Sequence, residues 1–415
     1  MIALSHHPAG QHDLPGRPSV AHLNTFAVGG AIPNLISVLM EGAHQFGFGA
    51  ELLFGRGPFP DGLQAERIGK LPNQAWDLLS SRLCDSAGRN SLAAATTLLG
   101  RFRQNRPDLV HIHNLHGYWM NQGVLLRGLV DLGIPIVWTL HDYWPVTGHC
   151  AFFEKADCEK WRFGCRDCPQ IRDYPRSYTD RSSRNYEFKR SLYGQLDRMH
   201  IVAVSRHAQR LIEKSILSEF PITAIHNAVE TRVFRPVDAT FSSPKSKVVG
   251  CVARHWDQRK GLSDILKLRA LLDESFSILV VGLTPVQIRE LPSGIVGVPA
   301  TMSPEELAGL YSSMDVFFNP SREETFGLTT VEAMACGVPV VLYDVSATRE
   351  IQPEITRSGI VEPKDIRAAA RQISEFANRK PPHLKAALIE HVESRFSVNS
   401  FLSKYYALYQ QMVIA

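Results

Sequence analysis

The sequence predicts two doubly wound α/β domains in series, on three observations. The chain has 415 residues, and domains usually run about 100–200, so more than one core is expected. Short β-rich runs followed by helical periodicity recur along it, the pattern of parallel sheets covered on both faces. The segment Pro236 to Lys247 (PVDATFSSPKSK) is rich in Pro and Ser and aperiodic, so it reads as the interdomain linker.

Five runs in the first half read as strands: Ser19 to Asn24, Asp108 to Asn114, Ile134 to Leu140, His200 to Val204 and Ile222 to His226. Between the first two, Ile32 to Phe46 places Ile32, Leu35, Ile36 and Leu39 at a 3.6-residue period, and Asn90 to Arg103 repeats the pattern. A second series follows the linker: Val248 to Ala253, Ser277 to Gly282, Asp315 to Asn319 and Val338 to Tyr343 read as buried strands, with helices starting at Gly261, Pro304 and Leu328. The last helix, Val398 to Val413, carries Phe401, Tyr405, Leu408 and Met412 on one face, suited to packing back across the first domain. The expected division is an extension over 1–18, a first domain over 19–235, the linker at 236–247, a second domain over 248–397 and a crossover helix over 398–415.

Composition excludes several classes. Hydrophobic residues make up 44% and charged residues 21%, ordinary globular usage rather than a disordered or disulfide-dense chain. A formal charge of +4 is too mild to name nucleic acid as a partner. The longest apolar runs fall far short of the roughly 20 residues that span a bilayer. Met1 to Pro18 has no basic segment leading into an apolar one, so the expected location is cytoplasmic.

The stretch Pro320 to Pro339 (PSREETFGLTTVEAMACGVP) carries the most chemistry. A strand ends at Asn319, an acidic loop follows, and the helix after Gly327 contains a second carboxylate, Glu332, eight positions after Glu324. Free N–H groups and the positive dipole end meet at a helix N-terminus, so Thr325, Phe326, Gly327 and Leu328 form a cradle for phosphate. Glu332, one turn in, would repel phosphate, but its acceptor oxygens suit a vicinal diol such as a ribose. The plain alternative is a helix whose first turn carries acids for dipole reasons. A second loop argues against that alternative. Arg254 and Lys260 follow the first strand of the same domain and lead into another helix, where two cations would neutralise a leaving diphosphate.

With Ser303 to Tyr311 (SPEELAGLY) and Ala335 to Val340 (ACGVPV), these pieces resemble the donor-binding domain of retaining glycosyltransferases of family 4, which have the two-domain GT-B fold. The resemblance spans about residues 19 to 415 and implies two Rossmann-like domains facing across a cleft. It implies that Glu332 holds the ribose hydroxyls and that Glu324 lies beside the transferred sugar. Arg254 and Lys260 would grip the diphosphate, and the amides after Glu324 would meet sugar and phosphate. Three positions depart from the usual pattern: Ala253 for Gly, Asn227-Ala228 for Asn-Gly, and Val345 to Glu350 (VSATRE), which lacks a Gly-Gly.

In the first domain, Gly29 and Gly30 of NTFAVGGA allow close backbone approach to a ligand or simply make a tight turn. By the resemblance they match the family's glycine loop. His141, after the strand Ile134 to Leu140, matches a histidine that contacts the donor sugar; Asp142 beside it is either catalytic or the cap of a turn. His111 of HIHNLHG reads as structural, with His113 and His116 open.

Cys150, Cys158, Cys165 and Cys168 fall within 19 residues, and in a reducing compartment read as a metal site before disulfides. A structural Zn²⁺ pinning a long excursion over 148–190, free thiols and an oxidised pair all remain open. From Lys160 to Arg190 there are nine Lys or Arg against four acids, interleaved with Trp161, Phe163, Tyr174, Tyr178 and Tyr186. That character suits anionic lipid headgroups or a lipid pyrophosphate, or is a solvated surface.

The resulting expectation is a glycosyltransferase moving a hexosyl group from a nucleotide-diphosphate sugar to a saccharide or polyprenyl-linked saccharide acceptor with retention. The resemblance implies that no cofactor is required for the chemistry. The regions around HIHNLHG, LHDYW and the cysteines resemble bacterial exopolysaccharide, capsule and O-antigen transferases, which implies peripheral contact at the inner membrane face. A sugar-nucleotide epimerase or phosphorylase of similar build is the alternative. A zinc-dependent nucleic-acid binder is more distant.

Overall fold

The computed structural model describes residues 16–243, 245–301, 303–379, 381 and 383–414. Most of the extension expected over 1–18, and Pro244 of the 236–247 segment, lie outside the described residues. The chain forms two compact units. The first takes the chain up to Ala203, then Leu211–Thr223 and the chain from Leu402 on; the second takes Val204–Arg210 and Ala224–Phe401.

The first unit is built on a seven-stranded sheet: β1 Ser19–Phe26, β2 Gly49–Arg56, β3 Ala65–Arg67, β4 Leu109–Ile112, β5 Ile136–Leu140, β6 Met199–Ala203 and β7 Ile222–Ala224. Their order is β3-β2-β1-β4-β5-β6-β7, with parallel pairing from β3 through β6. The order reverses between β1 and β4, a topological switch point where doubly wound sheets place ligands. The helix Val398–Ile414 completes this unit from Leu402 onward. Tyr406 stacks on Phe46 at 4.7 Å and its hydroxyl donates to the Leu39 carbonyl at 2.6 Å.

The second unit holds six parallel strands, β8 Lys247–Val252, β9 Phe276–Val281, β10 Ile295–Val298, β11 Val316–Asn319, β12 Val340–Tyr343 and β13 Ile360–Val361. The order is β10-β9-β8-β11-β12-β13, so its switch point lies between β8 and β11. Side chains alternate across the sheet: Phe317 and Leu342 enter one core while Val316, Phe318, Val341 and Tyr343 enter the other, all fully buried. Each such side chain contributes about 1.5–3 kcal/mol by leaving water.

Four strands are additions to those read from the sequence. In β2, Leu52, Leu53 and Phe54 are buried consecutively, so the run has no two-residue period. β3, β10 and β13 have only two to four residues, too few for any period to show. The helix Leu71–Cys84 is a further addition, and its burial is inverted: Gln74, Asp77 and Ser81 face inward.

Candidate active site

In the second unit three loops at the carboxyl ends of β8, β11 and β12 converge on Glu324. Lys260, after β8, donates from its ammonium to the Glu324 carboxylate. Arg259 Nη1 donates to the Glu323 carbonyl at 3.1 Å, and the Arg322 N–H returns a bond to the Arg259 carbonyl at 2.8 Å. From the β12 loop, Ser346 Oγ accepts the Glu324 N–H at 3.3 Å. Ser346 adopts φ 48°, so this non-glycine residue supplies the left-handed turn where the family often has Gly-Gly. Gly261 has φ 76°, and a Cβ there would sit 2.4 Å from the Pro320 carbonyl oxygen, so only glycine brings the two loops this close.

Burial works against the Glu324 carboxylate, but the Lys260 and Arg259 cations outweigh it and hold its pKa below the ordinary value. Burial pulls the Lys260 ammonium below its own ordinary value in spite of Glu324. Gly327 caps the helix Leu328–Ala335 with φ 100° and no side-chain bond, its carbonyl accepting the Thr330 N–H at 3.0 Å. The Phe326 side chain is buried between His226 and Phe396, so only its backbone can meet a ligand. Glu332 lies in the second turn, where Tyr311 Oη donates to Oε2 at 2.9 Å. Burial pushes the Glu332 carboxyl up to about 7, the Tyr311 bond acting against it. Arg254 stands exposed after β8. At the end of the VSATRE segment, Glu350 accepts from His226 Nε2 at 2.5 Å and from the Arg206 N–H at 2.9 Å.

In the first unit Gly29 and Gly30 both have positive φ, and Gly30 caps the helix Ala31–Gly42. His141, half-buried, follows β5 and joins a file with the buried His113 and His22. Its Nε2 meets His113 Nδ1 at 3.1 Å, and His113 Nε2 meets His22 Nδ1 at 3.2 Å. Burial lowers all three, His141 to about 4 and His22 to about 3, so the file is neutral, and His113, in the middle, donates to one neighbour and accepts from the other. His111 is fixed by Tyr409 at 2.6 Å and Thr139 at 2.8 Å, a structural role. Asp142 Oδ1 accepts from the Trp144 N–H at 2.9 Å, capping the turn, while Oδ2 meets His116 Nε2 at 2.9 Å. Its carboxylate is thus engaged in holding this loop.

The four cysteines line one small pocket with Trp161 and Thr147. The Gly148 N–H donates to Cys165 Sγ at 3.2 Å, and Cys150 hydrogen-bonds Cys168. Among the described residues, the one group of three or more His, Cys, Asp or Glu whose ligand atoms all lie within 4.8 Å is His22, His111 and His113. Of the three states left open for the thiols, a structural Zn²⁺ gains no support here, since among the described residues no three of these cysteines form such a group. Lys189, counted among the cations of the excursion, is 2% exposed: its ammonium donates to the Thr147 carbonyl at 2.9 Å and lies 3.5 Å from the Trp144 ring centre. It braces the loop after β5 instead of adding surface charge.

These two units define a class. Residues 58–233 match the glycosyltransferase family 4 model and residues 246–379 the model of glycosyl transferases group 1. The chain is thus a glycosyltransferase with the GT-B fold, built from a family 4 domain and a group 1 domain. It is 25% identical over 326 residues to the putative colanic acid biosynthesis glycosyl transferase WcaC of Escherichia coli K12, covering 74% of this chain and 77% of that protein. It is 29% identical over 233 residues to the D-inositol 3-phosphate glycosyltransferase of Mycolicibacterium smegmatis, covering 51% of this chain and 53% of that protein. Among solved structures, sucrose-phosphate synthase from Thermosynechococcus elongatus superposes with a TM-score of 0.71 at 17% identity, over 95% of this chain and 99% of that one. Anabaena HepE in complex with UDP-glucose superposes with a TM-score of 0.64 at 14% identity, over 95% and 99%.

Proposed function

We propose that this chain is a retaining hexosyltransferase that takes its sugar from a nucleoside-diphosphate donor and delivers it to a saccharide acceptor, lipid-linked, in cell-surface polysaccharide synthesis. The observation that carries the reading is the Lys260–Glu324 pair at the β8/β11 switch point, beside a glycine-capped helix N-terminus with Glu332 one turn in. Relatives named for colanic acid synthesis and for sugar transfer to inositol phosphate support the reaction class.

In this reading Glu332 accepts the two ribose hydroxyls, and the amides of Thr325 to Leu328 with Arg254 and Lys260 receive the diphosphate. These groups act most strongly on the charge that develops as the sugar–phosphate bond breaks. Glu324 and His141 face the transferred sugar, and Gly29-Gly30 bring backbone to the donor. The acceptor hydroxyl attacks from the side the diphosphate leaves. Because the chain's own cations stabilise the leaving group, activity is expected to survive metal chelation.

The test is to incubate the purified protein with UDP-, GDP- and ADP-sugars and acceptor lipid extract, follow diphosphate release, and read the product anomer by NMR. An inverted product ends the retaining assignment. Diphosphate release that needs no acceptor favours the epimerase or phosphorylase alternative.

The histidine file makes a further prediction. His113 fixes which nitrogen of His141 carries the proton, so His113→Phe should lower kcat about two- to tenfold, the worth of one neutral hydrogen bond, with KM little changed. The ¹⁵N shifts of His141 should report a changed tautomer balance. Unchanged shifts would remove His113 from this role.

A further inference from the structure

The helix Leu71–Cys84 turns its polar side to the protein and its apolar side to solvent. Gln74 Nε2 donates to the Gly55 carbonyl at 2.5 Å, and Asp77, fully buried, accepts from Ser81, Asn90 and Ser91. On the opposite side Trp76, Leu79 and Leu83 recur at i, i+3 and i+7 and are 66%, 50% and 52% exposed. A helix with a satisfied polar inner face and a contiguous apolar outer face is built to be covered by something other than its own unit.

The flanking charge says what covers it. The only exposed charged side chain of the helix is Arg82; its one acid, Asp77, is buried. The basic excursion docks on the C-terminal turn of the same helix, where the Tyr178 N–H donates to the Arg82 carbonyl at 2.7 Å and Thr179 Oγ1 bonds the Leu83 carbonyl. Tyr178 is 56% exposed there, with Arg172 and Arg176 at 5.1 and 5.6 Å from its ring. The nearby acids are engaged: Asp173 pairs with Lys155, and Asp180 accepts the N–H groups of Cys168 and Ser182. An apolar ridge with an exposed Trp and Tyr, bordered by three arginines, matches a surface whose interior is hydrocarbon and whose face is anionic.

We propose that Trp76, Leu79, Leu83 and Tyr178, with Arg82, Arg172 and Arg176, form a docking surface for an anionic lipid bilayer. The proposal rests on the lipid-linked acceptor reading above, to which it adds where the enzyme meets the membrane. It also separates from that reading in experiment, because vesicle binding needs no glycosyl transfer.

The full chain should sediment with vesicles of phosphatidylcholine and phosphatidylglycerol, bind phosphatidylcholine alone far less, and release as salt is raised. Leu79→Ser/Leu83→Ser should weaken partitioning at least about tenfold, and Arg172→Glu or Arg176→Glu about fivefold each. Trp76 should shift its emission to the blue on binding, a change lost in Trp76→Phe. Because these side chains are exposed, melting temperature and transfer to a water-soluble acceptor should stay as in the parent. Absence of vesicle binding, or equal binding by the Leu79/Leu83 variant, overturns the surface. So does a dimer abolished by the same substitutions, which would make a second copy the occupant. Intact vesicle binding without sugar transfer would overturn the reaction alone.

Discussion

Lys260→Ala is expected to lower kcat by about 10²–10³-fold, the cost of removing one preorganised donor from a developing anionic leaving group. That ammonium is held by Glu324, which is itself buried and held charged by Lys260 and Arg259. Truncation therefore has two effects. It leaves Glu324 with Arg259 as its remaining close cation, costing about 1–3 kcal/mol of stability, and it removes a contact to the diphosphate. The two separate when Glu324→Gln is measured beside it. Glu324→Gln frees Lys260 from its carboxylate, so affinity for the product diphosphate should hold or tighten while turnover falls. Lys260→Ala should lose both. Calorimetric titration with UDP, GDP and ADP, alongside steady-state rates, reads the split. Wild-type turnover in purified Lys260→Ala would remove the residue from the chemistry and leave the pair as a loop brace.

What could be read from the chain follows a physical division. Lys260, Glu324, Gly327 and Glu332 were legible because each lies within a few residues of a strand end or helix start, and local signals mark such ends. Partners that come from elsewhere carry no local signal. Tyr311 reaches Glu332 from another helix, and His22 and His113 meet across paired strands. Ser346 takes a glycine's conformation without being glycine. Lys189 has the composition of a surface cation and the burial of a core residue, since its ammonium is satisfied by backbone carbonyls the sequence does not place beside it. The helix Leu71–Cys84 shows the same limit: apolar spacing reveals that a helix has a face, not which way the face is turned. The cysteines illustrate the converse, for clustering in sequence brought four thiols to one pocket without bringing any three within 4.8 Å of one another.

Glu332 should make donor binding pH-dependent in a direction its burial dictates. With its pKa raised to about 7, much of the carboxyl is protonated at and below neutrality, whereas acceptance of two ribose hydroxyls uses the carboxylate. Affinity for the nucleoside diphosphate should fall as pH drops through 7, by about tenfold between pH 8 and pH 6, and binding near neutrality should release a proton. Stability runs the other way. A carboxyl whose folded pKa exceeds its unfolded value favours the folded state at low pH, and that contribution is lost as pH rises from the ordinary carboxylate range through about 7. A shift from the usual 4.5 to about 7 makes the loss on the order of 3 kcal/mol. Glu332→Gln removes the half-buried charge, so the variant should melt higher than the parent above pH 7 while binding diphosphate weakly and without pH dependence. Tyr311→Phe removes the bond that favours the carboxylate, so its binding curve should move to higher pH. A merely structural Glu332 would give a Gln variant that is stabilised and binds as the parent does, and that pairing of results would withdraw the ribose from its role.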